Sequence, residues 1–164
     1  MNREQILDKL LLLYTRYYDI EREGVEEPFL AKAGFKSHNE QYFLIKAAKV
    51  ADIDSNENVY FAYADVLDEE TVISLSKAAW EKGLDGVVPE YGHRNTDVIL
   101  YIIADSIKDE AINPIKKTHY SKSYKFGMYG WSDFRLVAID ASKGKATFNR
   151  QGRQLKKLIS NIFQ

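Results

Sequence analysis

Apolar side chains recur at helical spacing near both ends of the chain. The first stripe predicts a helix over residues 2–20 and is made of Ile6, Leu7, Leu10, Leu11, Tyr14, Tyr17 and Tyr18. The second predicts a helix that begins after Asn149, with one apolar face formed by Leu155, Leu158, Ile159, Ile162 and Phe163. Both stripes are one-sided, so each helix is expected to pack on a core.

Two shorter helices are predicted in the interior of the chain. Asp68 has the position of a helix N-cap, and the helix that follows continues to about residue 82, before Gly83. Another helix is predicted from Asp105 or Ser106 to the Asn113-Pro114 pair, since proline interrupts a helix.

Strand-like runs fill most of the remaining sequence. They predict strands over residues 29–36, 42–51, 59–66, 97–104, 120–128, 134–140 and 146–148. The polar cluster at 52–58 predicts a turn and hence an antiparallel hairpin between 42–51 and 59–66. The near-continuous apolar run at 97–104 is typical of a central strand covered on both faces. The segment 97–128 predicts a strand–helix–strand crossover, in which the two strands are parallel.

The order of these elements predicts the fold class. It is α-β-β-β-α-β-α-β-β-(β)-α, without an internal repeat or a linker-like composition break. We therefore expect one α+β domain over residues 1–164. It would contain a mixed, mostly antiparallel sheet of about five to six strands, with the N- and C-terminal helices packed on it. A chain of 164 residues is long enough to bury a substantial core.

Charge is distributed unevenly along the chain. Residues 1–107 hold 11 lysines and arginines against 20 aspartates and glutamates, a net of −9. Residues 108–164 hold 12 against 4, a net of +8, so the whole chain has a net charge of −1. Such asymmetry indicates either an anionic partner or an acidic part that faces the basic one.

The basic part is also rich in aromatic residues, which suggests a contact surface. Its candidate binding residues are Lys117, Lys122, Tyr124, Lys125, Trp131, Arg135, Arg150, Arg153 and Lys156. In the alternative interpretation, the aromatic side chains pack inward and the lysines form a solvated rim facing the acidic part of the same molecule. The C-terminal helix is expected to dock on the core and not on a membrane.

Sequence motifs exclude several kinds of chemistry. The chain has no cysteine, and its three histidines are scattered singly. The acidic run that starts at Asp52 resembles a calcium loop, but it has Glu57 where glycine is required and Tyr63 where glutamate is required. No phosphate-binding glycine-rich loop is present. We therefore predict no metal, no cofactor and no assigned catalytic residue.

One possible pocket keeps an enzymatic function open. The irregular segment 83–96 contains His93, which would act as an acid or base beside Asp97 or Asp133, with Trp131 as a wall. A single histidine in a loop is more often a surface residue, so the sequence leaves open whether the protein is an enzyme.

Two strings resemble those of an uncharacterised family of small bacterial proteins. They are GWSDFRLVAID at 130–140 and NRQGR at 149–153, and the resemblance extends over most of the chain. A family without an assigned activity implies no site residues.

The sequence therefore predicts a cytoplasmic, non-catalytic binding module. Its basic aromatic third, residues 108–164, would contact an acidic protein surface or a second copy of the chain. One alternative is a nucleic-acid-binding protein that uses the same surface, and the other is an enzyme with the His93/Trp131 pocket. No membrane partner is expected, since no apolar stretch approaches the length of a membrane span.

Overall fold

A computed structural model describes residues 1–35, 55–85, 87 and 95–164 of the protein. Its helices are α1 (Arg3–Tyr14), α2 (Glu69–Leu84), α3 (Asp109–Lys117) and α4 (Lys156–Ser160). Its strands are β1 (Tyr18–Glu21), β2 (Ala31–Phe35), β3 (Ser55–Leu67), β4 (Asn95–Ile107), β5 (Ser121–Ser123), β6 (Trp131–Asp140) and β7 (Lys145–Phe148). Short 3-10 segments occupy Lys125–Gly127 and Gln151–Leu155.

The strands form one mixed sheet. Its order is β1-β2-β3-β4-β6-β5, and β7 also pairs with β6. Strands β3, β4 and β6 are mutually parallel, and all other pairings are antiparallel. The predicted single α+β domain is confirmed, and the described residues form seven strands where five to six were expected. No helix in the described ranges is long and apolar enough to cross a lipid bilayer.

Helices cover both faces of the sheet. On one face, Val72 and Leu75 of α2 and Ile115 of α3 pack with the even-numbered residues of β4. On the other face, α1 and the C-terminal helical segment pack with the odd-numbered residues. Because β4 lies between β3 and β6, its residues 98–104 are all buried, as the apolar run predicted. The predicted packing of the N- and C-terminal helices on the sheet is also confirmed.

The first helix is shorter than the sequence predicted. It ends at Tyr14, where the Thr15 N–H and hydroxyl donate to carbonyls of the last turn. The prediction of helix to residue 20 was wrong because Tyr18 belongs to β1, opposite Phe35 of β2. The Tyr18 ring packs edge-on against Tyr14, with ring centroids 4.9 Å apart. The Tyr18 ring therefore packs beside the apolar face of α1, although Tyr18 itself belongs to a strand.

The predicted turn at 52–58 was wrong for its second half. Ser55 to Asn58 lie in β3, which pairs with β4 in parallel along its whole length. Polar residues are tolerated there because neighbouring strands satisfy their backbone groups. The predicted strand 42–51, and with it the predicted hairpin, lies outside the described residues.

The predicted strand 120–128 was mostly wrong. Only Ser121–Ser123 pair with β6, in the antiparallel sense, and a 3-10 turn follows at Lys125–Gly127. The strand therefore ends at Ser123 and does not continue to residue 128. The predicted crossover over 97–128 was wrong in its second strand, because the strand after α3 that pairs in parallel with β4 is β6 and not the segment 120–128.

The boundaries of the last two helices also differ from the prediction. β4 continues to Ile107, so α3 begins only at Asp109. This helix passes through Pro114 to Lys117, with acidic residues in its first turn and lysines in its last, which suits the helix dipole. At the C-terminus, a 3-10 segment precedes the five-residue α4.

Candidate functional site

The outer edge of β6, on the side away from β4, brings the basic part of the chain together. β5 pairs with residues 131–133, and β7 pairs with residues 137–140. In the gap between them, the Asn149 side chain takes the place of a strand. Its Oδ1 accepts from the Leu136 N–H at 2.9 Å, and its Nδ2 donates to the Phe134 carbonyl at 3.0 Å. The β6 edge is therefore covered along its length by three successive segments.

Asn149 also joins the segments to one another. Its Nδ2 donates to the Thr118 carbonyl at 3.0 Å, and its Oδ1 accepts from the Gly152 N–H at 2.7 Å. Beside it, the Gln151 amide nitrogen lies 2.9 Å from Nδ1 of His119. The chain just after α3 and the 3-10 segment 151–155 are therefore held side by side along the same edge.

Cations from these segments form what we call the basic edge. Its members are Lys117, Lys122, Lys125, Lys145, Arg150 and Arg153, all exposed. Lys156 lies just beyond it, as the first residue of α4, and is also exposed. Of the twelve lysines and arginines in residues 108–164, only Lys108 and Arg135 form ion pairs within the described part of the chain.

The acidic residues do little to neutralise this edge. Asp140 is buried and accepts from the Ser142 hydroxyl and from two backbone N–H groups. Asp109 and Glu110 occupy the first turn of α3, at the opposite end from Lys117. In the described ranges, Arg135 makes the ion pairs that connect residues 108–164 with the acidic part. The cations of the basic edge are therefore exposed and form no ion pairs within the described ranges.

Three large apolar side chains are exposed at one end of the basic edge. Phe126 is fully exposed, Met128 is 69% exposed and Trp131 is 47% exposed. The turn that carries Phe126 has φ of 49° at Lys125 and 56° at Phe126. Such angles are uncommon for side chains of this size. Backbone hydrogen bonds from the Gly127 and Tyr129 N–H groups to the Tyr124 carbonyl close this turn.

The structure places Tyr124 away from this surface. Its ring is buried, and its hydroxyl lies 2.9 Å from the Ser132 Oγ. The Lys122 ammonium sits over the ring at 5.4 Å from its centroid. Tyr124 therefore packs beneath the turn at Lys125–Gly127, and its buried ring is not part of the exposed surface.

Arg135 lies in a separate charged cluster, on the sheet face that packs against α1. Its Nη2 is 2.9 Å from Asp97 Oδ2, and its Nη1 is 3.8 Å from Glu57 Oε1. The side chains are 17%, 4% and 20% exposed for Arg135, Asp97 and Glu57 respectively. Burying charges is costly unless they are paired, which this geometry provides. Arg135 is therefore not part of the basic edge.

Three tyrosines adjoin this cluster. The Tyr18 hydroxyl donates to Glu57 Oε2, and the hydroxyls of Tyr14 and Tyr101 lie 2.7 Å apart. Burial raises the pKa of all three phenols, and the Glu57 carboxylate raises them further. The phenols are therefore neutral hydrogen-bonding groups over the physiological range.

Comparison with known proteins identifies the family. A family model described as Domain of unknown function (DUF8052) matches residues 2–161. The chain belongs to this family. The match confirms the resemblance to a family without an assigned activity. No curated protein and no solved structure matches the chain.

The DUF8052 domain places three of the four predicted pocket residues together. Asp97 of β4 stands directly opposite Asp133 of β6, and Trp131 begins β6 two residues earlier. The fourth residue, His93, lies outside the described residues. Asp133 makes no ion pair with Arg135, which turns to Asp97 instead.

The sequence missed Glu57 and Tyr18 in the charged cluster of the DUF8052 domain. A signal was present for Glu57, which continues the alternation of Val59 and Phe61 toward the α1 face. It was hidden because the surrounding polar residues favoured a turn. Across the described part of the domain, no group of three or more histidines, cysteines or carboxylates is arranged to hold a metal ion.

Proposed function

We propose that this protein is a non-catalytic binding module whose basic third contacts an acidic macromolecular partner. The observation that carries the proposal is the basic edge, where six cations without ion pairs in the described chain lie along one side of the sheet. Unpaired surface cations attract anions and raise the rate of encounter with them.

The exposed loop adds an apolar component to this surface. Phe126 and Met128 are largely open to water and Trp131 is about half exposed, at the end of the edge that also carries Lys122 and Lys125. Full burial of one such side chain contributes roughly 1.5–3 kcal/mol. A partner that covers the loop would gain this energy in addition to the electrostatic attraction, and aromatic anchors of this kind dominate the energetics of interfaces.

Binding of poly-L-glutamate, as a probe for acidic protein surfaces, tests the proposal. We expect fluorescently labelled poly-L-glutamate to bind at about 50 mM salt and to dissociate at about 500 mM, where charge is screened. Reversing two cations of the basic edge, in K122E/R153E, should weaken binding about tenfold or more. The control R16E/K77E changes the net charge equally but at positions away from this edge, and should bind like the wild type.

A second copy of the chain is one form that the acidic partner can take, because residues 1–107 have a net charge of −9. In that form, sedimentation velocity should show a dimer at low salt that dissociates at high salt. A monomer at both ionic strengths would exclude self-association and leave an external partner. We propose no reaction at the Asp97/Asp133/Trp131 pocket, because its acid–base residue His93 lies outside the described residues.

A further inference from the structure

We infer that the basic edge binds single-stranded nucleic acid. This inference rests on the proposed function, because it uses the same surface and specifies its partner. Binding of a single strand requires that the exposed aromatic rings at one end of the edge stack on unpaired bases, whereas binding of an acidic protein does not.

Four cations of the basic edge are distributed along the length of β6. Lys122 stands opposite Ser132 near the start of β6, and Lys145 stands opposite Asp140 at its end. Strands rise about 3.3 Å per residue, so these two positions are about 26 Å apart. Arg150 and Arg153 come from the segment that Asn149 fixes between them. A row of cations along one direction suits an extended phosphate backbone, as in other single-strand binding surfaces.

Uncharged donors accompany the cations. Ser121 and Ser123 flank Lys122 on β5, and all three side chains are exposed. Serine hydroxyls and backbone N–H groups of this kind commonly bind phosphate oxygens and position the nucleic acid without reading its sequence. Because side chains alternate along a strand, Lys122 lies on the opposite face of β5 from the two serines, so the cation and the hydroxyls of this end can bind successive phosphates of a chain that passes over the edge.

Aromatic rings occur at the same end. Ser123 stands opposite Trp131, and the turn that follows β5 exposes Phe126 completely. Bases of a duplex are stacked on one another and cannot use such rings, whereas bases of a single strand can. The combination of a linear basic edge and exposed rings at one end favours a single strand over a duplex and over an acidic peptide.

The test compares four probes on the same protein by fluorescence anisotropy. They are a labelled thymidine homopolymer of about 12 nucleotides, its duplex with the complementary strand, poly-L-glutamate, and vesicles containing phosphatidylserine. We expect the single strand to bind most tightly at about 50 mM salt, with an affinity that falls linearly on a log–log plot against salt concentration.

Variants separate stacking from charge. F126A should weaken binding of the single strand roughly five- to a hundredfold, because stacking on a ring contributes that much per base, and F126A/W131A should weaken it further. They should change poly-L-glutamate binding less than about twofold, because glutamate side chains have no base to stack. L12A/L13A, which removes exposed apolar side chains from α1, is the matched control and should leave both affinities unchanged. F126A alone serves if the double variant fails to fold, since Phe126 is fully exposed.

Each contrary outcome has a distinct meaning. Binding of poly-L-glutamate without binding of the single strand would overturn this inference and leave the proposed function standing. Equal affinity for single strand and duplex, or no effect of F126A, would also overturn it. Binding to the vesicles alone would indicate that the exposed apolar side chains contact a lipid surface, and it would also overturn the inference of single-strand binding. If none of the four probes binds, both the inference and the proposed function fail.

Discussion

The Oδ1 atom of Asn149 accepts a hydrogen bond from the Gly152 N–H at 2.7 Å, and this contact holds the 3-10 segment against the edge of β6. The glycine packs so closely that a Cβ atom there would lie 2.5 Å from the Leu136 carbonyl oxygen and 2.7 Å from Asn149 Oδ1. Residues 149–153 contain the string that indicated the family, and the structure gives this string a role in completing the sheet.

Replacing Gly152 with alanine should therefore destabilise the fold. The Cβ would collide with a backbone carbonyl that β6 holds in place, so we expect a loss of about 2–3 kcal/mol in the free energy of unfolding, measured in urea. Gly34→Ala is the matched control, because a Cβ there meets nothing within 4 Å. Equal stability of G152A and the wild type would contradict the proposed packing.

Removal of Arg135 should cost more than removal of a surface cation. Arg135→Met takes the guanidinium away from the buried Asp97 carboxylate, and we expect a loss of about 3 kcal/mol in urea unfolding. Arg22→Met breaks the pair with Asp8, also 2.9 Å long but exposed, and should cost less than about 1 kcal/mol. The double variant R135M/D97N should recover part of the loss, since it also removes the buried carboxylate charge that Arg135 neutralises. Similar costs for R135M and R22M would refute this assignment.

Asp140 should make the fold sensitive to acid. Burial by itself would raise the pKa of Asp140, but hydrogen bonds from Ser142 and from the Ile107 and Lys143 N–H groups outweigh it and lower that pKa. A lowered folded-state pKa means that the stabilisation is present above the ordinary value of 3.8 and is lost as pH falls through the folded-state value.

The variant Asp140→Asn checks this pH dependence. It should be less stable than the wild type at neutral pH, and its free energy of unfolding should fall less steeply with pH below about 4. Asp109→Asn, in the exposed first turn of α3, is the control. Parallel stability curves for the wild type and D140N would show that Asp140 has no such role.

The buried tyrosines should make the fold sensitive to alkali. Burial raises the pKa of Tyr14 and Tyr101 above the ordinary value of 10.0. Their stabilisation is therefore complete below pH 10.0 and is lost as pH rises toward the folded-state values, because the unfolded chain releases its phenolic protons first.

An alkaline titration followed by circular dichroism and tyrosinate absorbance tests this expectation. Part of the tyrosinate signal should appear only together with unfolding. The free energy of unfolding of Y14F/Y101F should fall less steeply above pH 10.0. Below that pH the double variant should be about as stable as the wild type, because it removes both hydroxyls of one hydrogen-bonded pair and leaves neither without its partner. Tyr17→Phe, outside this pair, should retain the wild-type slope. Full ionisation of the tyrosines in a protein with native circular dichroism would contradict the expectation.

Local patterns predicted the elements well where one face was apolar and continuous. The apolar run at 97–104 indicated a central strand, and β4 is that strand. The first helical stripe predicted α1, but it also included Tyr18, which contacts the same core from β1. The spacing of apolar residues along the sequence does not show whether an aromatic residue such as Tyr18 belongs to the helix or to the next strand, because in both cases its ring packs in the same core.

The sequence alone determined the fold class and the separation of charge, because periodicity and composition are local properties of the chain, and two of its strings carried the family resemblance. The tertiary structure decided which charges are paired within the molecule and which are exposed. Arg135 and Lys122 belong to the same basic part, yet Arg135 is paired with Asp97 inside the molecule while Lys122 lies on an edge strand. The physical reason is that the neutralisation of a charged side chain depends on which strands lie next to it. The two neighbours of β6, β4 and β7, come from parts of the sequence that are far from each other.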